Sequence, residues 1–348
     1  MKATIFAYTR HGVELSLKVN QVLTEKGYSS RTYTTNKFSQ LYPEVLALPH
    51  PAASIYEQEF ATGDALIFIS ATGIAVRSIA PYVRSKTTDP AVVVMDEQGT
   101  FVIPLLAGHI GGANALAKAL ATELKAVPVL TTATDVNELF SVDEWATQKG
   151  LHLASLPIAK DFAAYLVEGK TAGFTSDFPV QGKLPAGLKQ APSGELGVAI
   201  TLNKDAHPFA KTLILEPKIV HLGIGCRRGI AMAAIEKLVL RELAKLHLSI
   251  AALAGVASID VKKDEAGLQA FAAKYHLPLR FYTAQELADV PGKFTASAFV
   301  KKTVGVDNVC ERAAVRNSKG GKLLLQKTDL EGVTLAIAEA DFTVSFTK

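Results

Sequence analysis

Apolar positions in this chain gather into short unbroken bursts separated by stretches with helical spacing. Leu66 to Ile69 and Ala91 to Met95 lack the in/out alternation of a one-sided sheet, which predicts parallel strands buried on both faces. Ala3 to Tyr8 predicts a first strand, followed by a helix with Val13, Leu17 and Leu23 along its apolar side. Further strands are expected at Ser30 to Thr34 and Val129 to Thr132. The helix ANALAKALATEL places Leu116, Leu120 and Leu124 on one stripe and Lys118 and Thr122 on another face. Strand and helix alternate to about residue 140, the order of a doubly wound α/β domain. Asp96-Glu97-Gln98-Gly99 adds a hairpin turn between two strand-like runs.

From Phe140 to about Pro217 the pattern changes. SVDEWATQKG and AKDFAAYLVEG predict helices, and turns rich in Gly and Pro then separate short strands such as Gly197 to Leu202. Trp145 reads as a packing residue. Ile219 to Gly229 then runs as a strand and a glycine corner into a helix with Met232, Ile235, Val239, Leu243 and Leu246 on one face. Beyond it come a strand, a charged loop (Asp260 to Glu265) and a helix, then a Phe281-Tyr282 strand and a capping box at Thr283 and Glu286. Helices are expected to start at Ser297 and Asp307, and strands at Lys322 to Lys327 and Val333 to Ala338 close the chain. The expected organisation is an N-terminal α/β domain over 1–140, a small middle module over 141–217 and a second α/β domain over 218–348.

At 348 residues more than one core is expected, and 49% hydrophobic with 20% charged residues is ordinary for a soluble globular protein. The net charge of +4 is mild, and no Lys/Arg run suggests a nucleic-acid partner. Cys226 and Cys310 have neither metal-ligand nor disulfide-framework spacing, which fits a reducing, cytoplasmic setting. MKATIFAYTRHG reads as a strand rather than a signal peptide, and no apolar run approaches the ~20 residues of a membrane span. Zinc-site spacings of the H-E-x-x-H kind are absent from the sequence, so no protein-bound metal is expected.

Chemistry is expected at three glycine corners, because small residues there let backbone N–H groups and a helix N-terminus approach an anion. The first is Ala71-Thr72-Gly73, with Arg77 one turn on. The second is Gly108-His109-Ile110-Gly111-Gly112, with Asn114 following, and the third is Gly223 to Gly229 with Arg227 and Arg228. Ordinary corners that need positive φ or a helix cap have the same composition, and both readings are open for each. Arg10 and His11 follow the first strand, where open α/β sheets place ligands, and a solvated role is equally open for them. Gly223-x-Gly225-x-x-x-Gly229 is one residue longer than a dinucleotide fingerprint and lacks the acidic residue about 20 positions on, which makes a nucleotide-linked oxidoreductase the weaker alternative. The two arginines instead offer forked donors to carboxylates, and beside them Cys226 has grounds for a lowered pKa.

Taken in order, ATGIAVR, LLAGHIGGANALA, LTTATDVN, GIGCRRG, SIDVKKDE, SAFVKKTVGVDNVCERAA and GVTLAIAE resemble the cobalt-precorrin-5A hydrolase family (CbiG) of anaerobic cobalamin synthesis, over nearly the whole chain. The resemblance implies that water opens the δ-lactone of a corrinoid substrate, with loss of acetaldehyde. Cobalt then belongs to the substrate, and no cofactor is expected. Such chemistry needs carboxylate clamps, oxyanion donors and a base. Thr72, Gly73, Arg77, Gly111, Gly112, Asn114, Gly225, Arg227 and Arg228 are the expected substrate-binding residues, and His109 the expected base, with Glu311 and Glu265 as alternatives. A carrier that shields a corrinoid intermediate without chemistry is the competing reading. A homodimer is compatible with either.

Overall fold

The protein is described by a computed structural model over residues 1–347, apart from 87, 110, 298–301, 303 and 304. Of the helix expected to start at Ser297, residues 298–301 lie outside the described set. The chain forms two compact units, Met1–Trp145 and Ala146–Lys348.

The first unit holds a seven-stranded sheet. Its strands are β1 (Lys2–Ala7), β2 (Ser29–Thr34), β3 (Leu46–Ala47), β4 (Ala65–Ile69), β5 (Ala91–Met95), β6 (Phe101–Leu106) and β7 (Val127–Pro128), in the order β3-β2-β1-β4-β5-β6-β7. The helices in chain order are α1 (Arg10–Glu25), α2 (Asn36–Ser39), α3 (Ala53–Thr62), α4 (Thr72–Ile79), α5 (Ala113–Leu124), α6 (Ala133–Val136) and α7 (Val142–Gln148), the last spanning the boundary between units. Every residue of β4 and β5 is buried and the two pair in parallel, as their unbroken apolar runs require. Val13, Val19 and Leu23 of α1 share one core with Leu116 and Leu120 of α5.

The hairpin forms where expected, with the Asp96 carboxylate accepting from Gln98 N at 2.9 Å and Phe101 N at 2.6 Å, and Gly99 at φ 72°. Its consequence is larger than the turn. Strand β6 runs antiparallel to β5, pairing Val92 with Leu106 and Met95 with Val102. The carboxyl end of β6 therefore emerges at the edge of the sheet where β4 and β5 begin.

The second unit contains β8 (Leu151–Leu153), β9 (Ala172–Ser176), β10 (Val180–Gln181), β11 (Leu188–Gln190), β12 (Gly194–Ile200) and β13 (Phe209–Pro217), then β14 (Val220–Cys226), β15 (Leu253–Ile259), β16 (Leu279–Tyr282), β17 (Lys322–Leu330), β18 (Val333–Glu339) and β19 (Val344–Ser345). Its helices are α8 (Leu156–Val167), α9 (Met232–Lys245), α10 (Ala266–Lys274), α11 (Ala284–Ala288) and α12 (Cys310–Asn317). One sheet has the order β11-β9-β12-β13-β8 and the other β16-β15-β14-β18-β17. The last strand returns to pair with the earlier region, Val344 against Val180 and Ser345 against Gln181. The capping box of Thr283 and Glu286 forms at α11.

In the second sheet β14, β15 and β16 are parallel, while β18 lies antiparallel on the other side of β14. The chain thus steps outward from β14 and then returns across it, creating a switch point where ligands of open α/β sheets are found. Gly223 is forced by packing, since a Cβ there would stand 1.8 Å from the Cys310 carbonyl oxygen at the start of α12. This accounts for a glycine of the nucleotide-like pattern without a nucleotide.

Candidate functional site

The first corner lies at the carboxyl end of β4, beside the end of β1, with Ala7 paired to Ile69. Thr72, Gly73 and Arg77 are exposed there, and the Arg77 guanidinium reaches back to the Gly73 carbonyl at 3.5 Å. Arg10 and His11 begin α1 at the same edge, and Arg10 pairs with Glu14 at 3.2 Å. Gly12 lets this helix approach closely, because a Cβ would meet Ile69 Cγ2 at 3.3 Å.

The second corner is not beside the first. Because β6 is reversed, His109, Gly111, Gly112 and Asn114 gather at the opposite edge of the sheet from Thr72, Gly73 and Arg77. The corner also satisfies itself. Gly112 N donates to His109 O at 3.0 Å, Ala113 N to Ala107 O at 3.1 Å and Asn114 N to Gly108 O at 2.9 Å, so these helix-start donors are already used. A Cβ on Gly111 would lie 2.3 Å from Ala107 Cβ, which makes that glycine a close-packing position.

What this corner builds is a polar network around His109. Its Nδ1 lies 3.3 Å from Asp143 Oδ2, and its Nε2 lies 3.4 Å from Asp135 Oδ2 and 3.2 Å from Thr134 Oγ1. Asn114 is buried and donates from Nδ2 to Asp135 Oδ2 at 2.7 Å, while Lys118 reaches Asp135 Oδ1 at 2.6 Å and Thr132 donates to the same carboxylate. The bond to Asp143, opposed by burial and supported by Asp135, raises the His109 pKa above its ordinary value. Burial pushes Asp135 and Asp143 upward, but their hydrogen bonds outweigh it and both carboxyls sit below the usual range. Glu144, next on α7, is raised by burial. Asn114 is therefore an organiser of Asp135 within this network.

The third corner opens a cavity of about 600 Å³ at the switch point of the second unit. Gly225, Cys226, Arg227 and Arg228 line it from the end of β14, Lys262 from the loop after β15, and Lys327, Asp329 and Thr334 from β17 and β18. Both arginines are exposed. Arg227 N donates to Gly332 O at 2.9 Å, and Gly332 has no Cβ where one would meet Arg227 Cδ at 2.9 Å. A Cβ on Gly225 would lie 2.6 Å from Thr334 Oγ1, whose hydroxyl donates to the Gly225 carbonyl at 3.2 Å.

The two glutamates considered as alternative bases serve as latches in this geometry. Glu265 accepts from Gly229 N at 2.8 Å and pairs with Lys262 at 2.9 Å, and Lys262 foremost holds its pKa down. Glu311 is 1% exposed and accepts Thr295 N at 2.8 Å and Lys327 N at 2.7 Å. Both of its oxygens carry backbone donors. The Cys226 thiol is pushed up by burial, contrary to the lowering expected from its arginine neighbours, and burial raises Cys310 to about 11.

Asp135, Asp143, Thr134 and Lys327 were not picked out from the sequence. Asp135 sat within a stretch that carried the family resemblance, whereas Asp143 and Lys327 lay in a plain helix and a plain strand. Among the described residues no group of three His, Cys, Asp or Glu side chains is placed to hold a metal, and no helix is long and apolar enough to cross a membrane.

Comparison with known proteins finds two family descriptions, cobalamin synthesis G N-terminal over residues 54–135 and cobalamin synthesis G C-terminus over residues 220–338. The chain is 36% identical over 351 residues to a cobalt-precorrin-5A hydrolase of Salmonella typhimurium, covering 97% of each. It is 31% identical over 355 residues to the cobalt-precorrin-5A hydrolase of Priestia megaterium, covering 96% of this chain and 94% of that one. A solved structure of a cobalamin biosynthesis protein G homolog from Sulfolobus solfataricus is similar with a TM-score of 0.43 and 21% identity, over 98% of this chain and 97% of that one.

Proposed function

This chain belongs to the cobalt-precorrin-5A hydrolase family, and from that premise we propose that it hydrolyses the δ-lactone of cobalt-precorrin-5A to give cobalt-precorrin-5B and acetaldehyde. The observation that carries the reading is identity of 36% to a hydrolase along 97% of both chains.

The reaction has two stages. Water adds to the lactone carbonyl and the ester C–O bond breaks, leaving a carboxylate on the ring-A acetate and an alcohol on the former meso carbon. Removal of the alcohol proton then lets the C–C bond to the macrocycle break. The electron pair passes into the conjugated ring, which takes up a proton, and the two-carbon fragment leaves as acetaldehyde. Cobalt enters and leaves with the macrocycle.

Each unit supplies a distinct capability. In the first, His109 is the proton-transfer group, held on Nδ1 by Asp143 and flanked on Nε2 by Thr134 and Asp135. Its hydrogen bond to Asp143 raises its pKa above the ordinary value, which strengthens it as a proton acceptor. In the second, the arginines and lysines around the cavity offer charge-assisted donors to substrate carboxylates.

The test is to incubate the full-length protein with cobalt-precorrin-5A and assay acetaldehyde. Stoichiometric binding with no acetaldehyde would make the protein a carrier instead.

A further inference from the structure

We propose that Lys327, on β17 and outside every glycine corner, joins Arg227 and Arg228 in a site for the peripheral carboxylate arms of a tetrapyrrole. This rests on the hydrolase reading for the identity of the ligand, but the site is built by residues of the second unit alone.

The cavity volume of about 600 Å³ lies within the roughly 300–1,000 Å³ of small-molecule pockets. Its apolar wall of Ile259, Val309 and Val333 suits the methylene stem of an acetate or propionate arm, and the cations suit its end. Among the described residues four cations line the space, yet they are not equivalent. Lys262 is paired with Glu265 at 2.9 Å, which leaves it partly neutralised. Among the described residues no ion pair within 4.0 Å is recorded for Arg227, Arg228 or Lys327, and Asp329 is the one acidic residue of the lining.

The placement of Lys327 is specified from below. Register shifts between Leu323 and Leu325 and between Leu325 and Thr328 break the regular ladder of β17 against β18. In that stretch Lys327 N–H is taken up by buried Glu311 at 2.7 Å, and the other oxygen of Glu311 holds Thr295 N. A buried carboxylate thus fixes the backbone from which Lys327 reaches the cavity. Glu311 is a positioning residue here, which gives a use to a buried acid that proton transfer does not need.

The experiment uses the intact protein and two probes, a porphyrin with eight free peripheral carboxylates and its octamethyl ester, followed by porphyrin fluorescence. Lys327→Ala and Arg228→Ala should each weaken binding of the free acid about tenfold or more, with a shallower salt dependence, and Lys327→Arg should restore most of it. The ester should not distinguish wild type from variants. Circular dichroism and thermal midpoints verify that each variant is folded. Equal affinity of wild type and Lys327→Ala for the free acid would overturn the proposal, as would millimolar inorganic phosphate displacing the porphyrin fully, which would make this a phosphate site. Because the probes undergo no turnover, a missing acetaldehyde signal with Lys327-dependent binding would remove the hydrolase reading and leave this site standing.

Discussion

Asp143 Oδ2 stands 3.3 Å from His109 Nδ1, so the imidazole following β6 is tied to a carboxylate in the first turn of α7. A second carboxylate, Asp135, approaches the other ring nitrogen at 3.4 Å. The ring is bracketed, and its proton affinity is set by both neighbours.

Replacing Asp143 by Asn should lower the His109 pKa, because the Asp143 bond is the largest cause of its elevation. The His109 C2 proton followed by NMR should titrate above about 6.5 in the native protein and lower in Asp143→Asn. Unaltered titration would mean that the bond at 3.3 Å carries no electrostatic coupling.

The same pair predicts a pH window for stability. His109 is raised, so its contribution is complete below its ordinary value and is lost as pH rises through the folded value. Asp143 is lowered, so its contribution is present above its ordinary value and fades as pH falls through the folded one. Asp143→Asn should therefore cost most between about pH 4 and 6.5, on the order of 1 kcal/mol, and progressively less at alkaline pH. Urea unfolding at pH 5.5 and 9 measures the difference, and an equal cost at both would remove the ionic explanation.

His109→Ala should reduce acetaldehyde release from the lactone by roughly 10²–10⁴-fold, the usual yield of positioned proton transfer. If the rate were unchanged, His109 would be left with a structural role in its loop.

Glu311→Gln keeps the side-chain shape but weakens the acceptor of two backbone N–H groups, and should destabilise the second unit by about 1–3 kcal/mol. Loss of turnover should track an increased KM, through Lys327, with kcat nearly retained. A collapse of kcat at unchanged KM would return Glu311 to the role of base.

Gly223→Ala must displace α12 from β14, because the added Cβ meets a backbone carbonyl at 1.8 Å, and should cost about 3 kcal/mol or prevent folding. Titration of the native protein with NAD(P)H should give no thermal shift. A saturable shift would revive the dinucleotide reading of that corner.

Much of the fold was legible because burial leaves a direct mark on sequence. The apolar runs of β4 and β5, the Asp96 turn and the capping box at Thr283 all formed where their residues indicated. Strand direction was harder to read. The hairpin was visible, but its geometric result, that Gly73 and Gly111 lie at opposite edges of one sheet, follows from the pairing of Val92 with Leu106. Glycine was equally ambiguous, since Gly111 and Gly223 answer to close backbone approach while Gly225 lines a cavity. The partners of His109 were hidden because they are 26 and 34 residues away, and no helical or strand spacing links either of them to its loop.

The pairing of Val344 with Val180 has a practical corollary. Phe346 packs edge-on against Phe174, and Phe342 does the same with Phe178, so the tail is stitched along a seam to a segment that precedes it by more than 150 positions. A chain severed between 217 and 218 would leave its final strand in one fragment and the strand it pairs with in the other. Such halves, expressed separately, would regain this seam only by complementation.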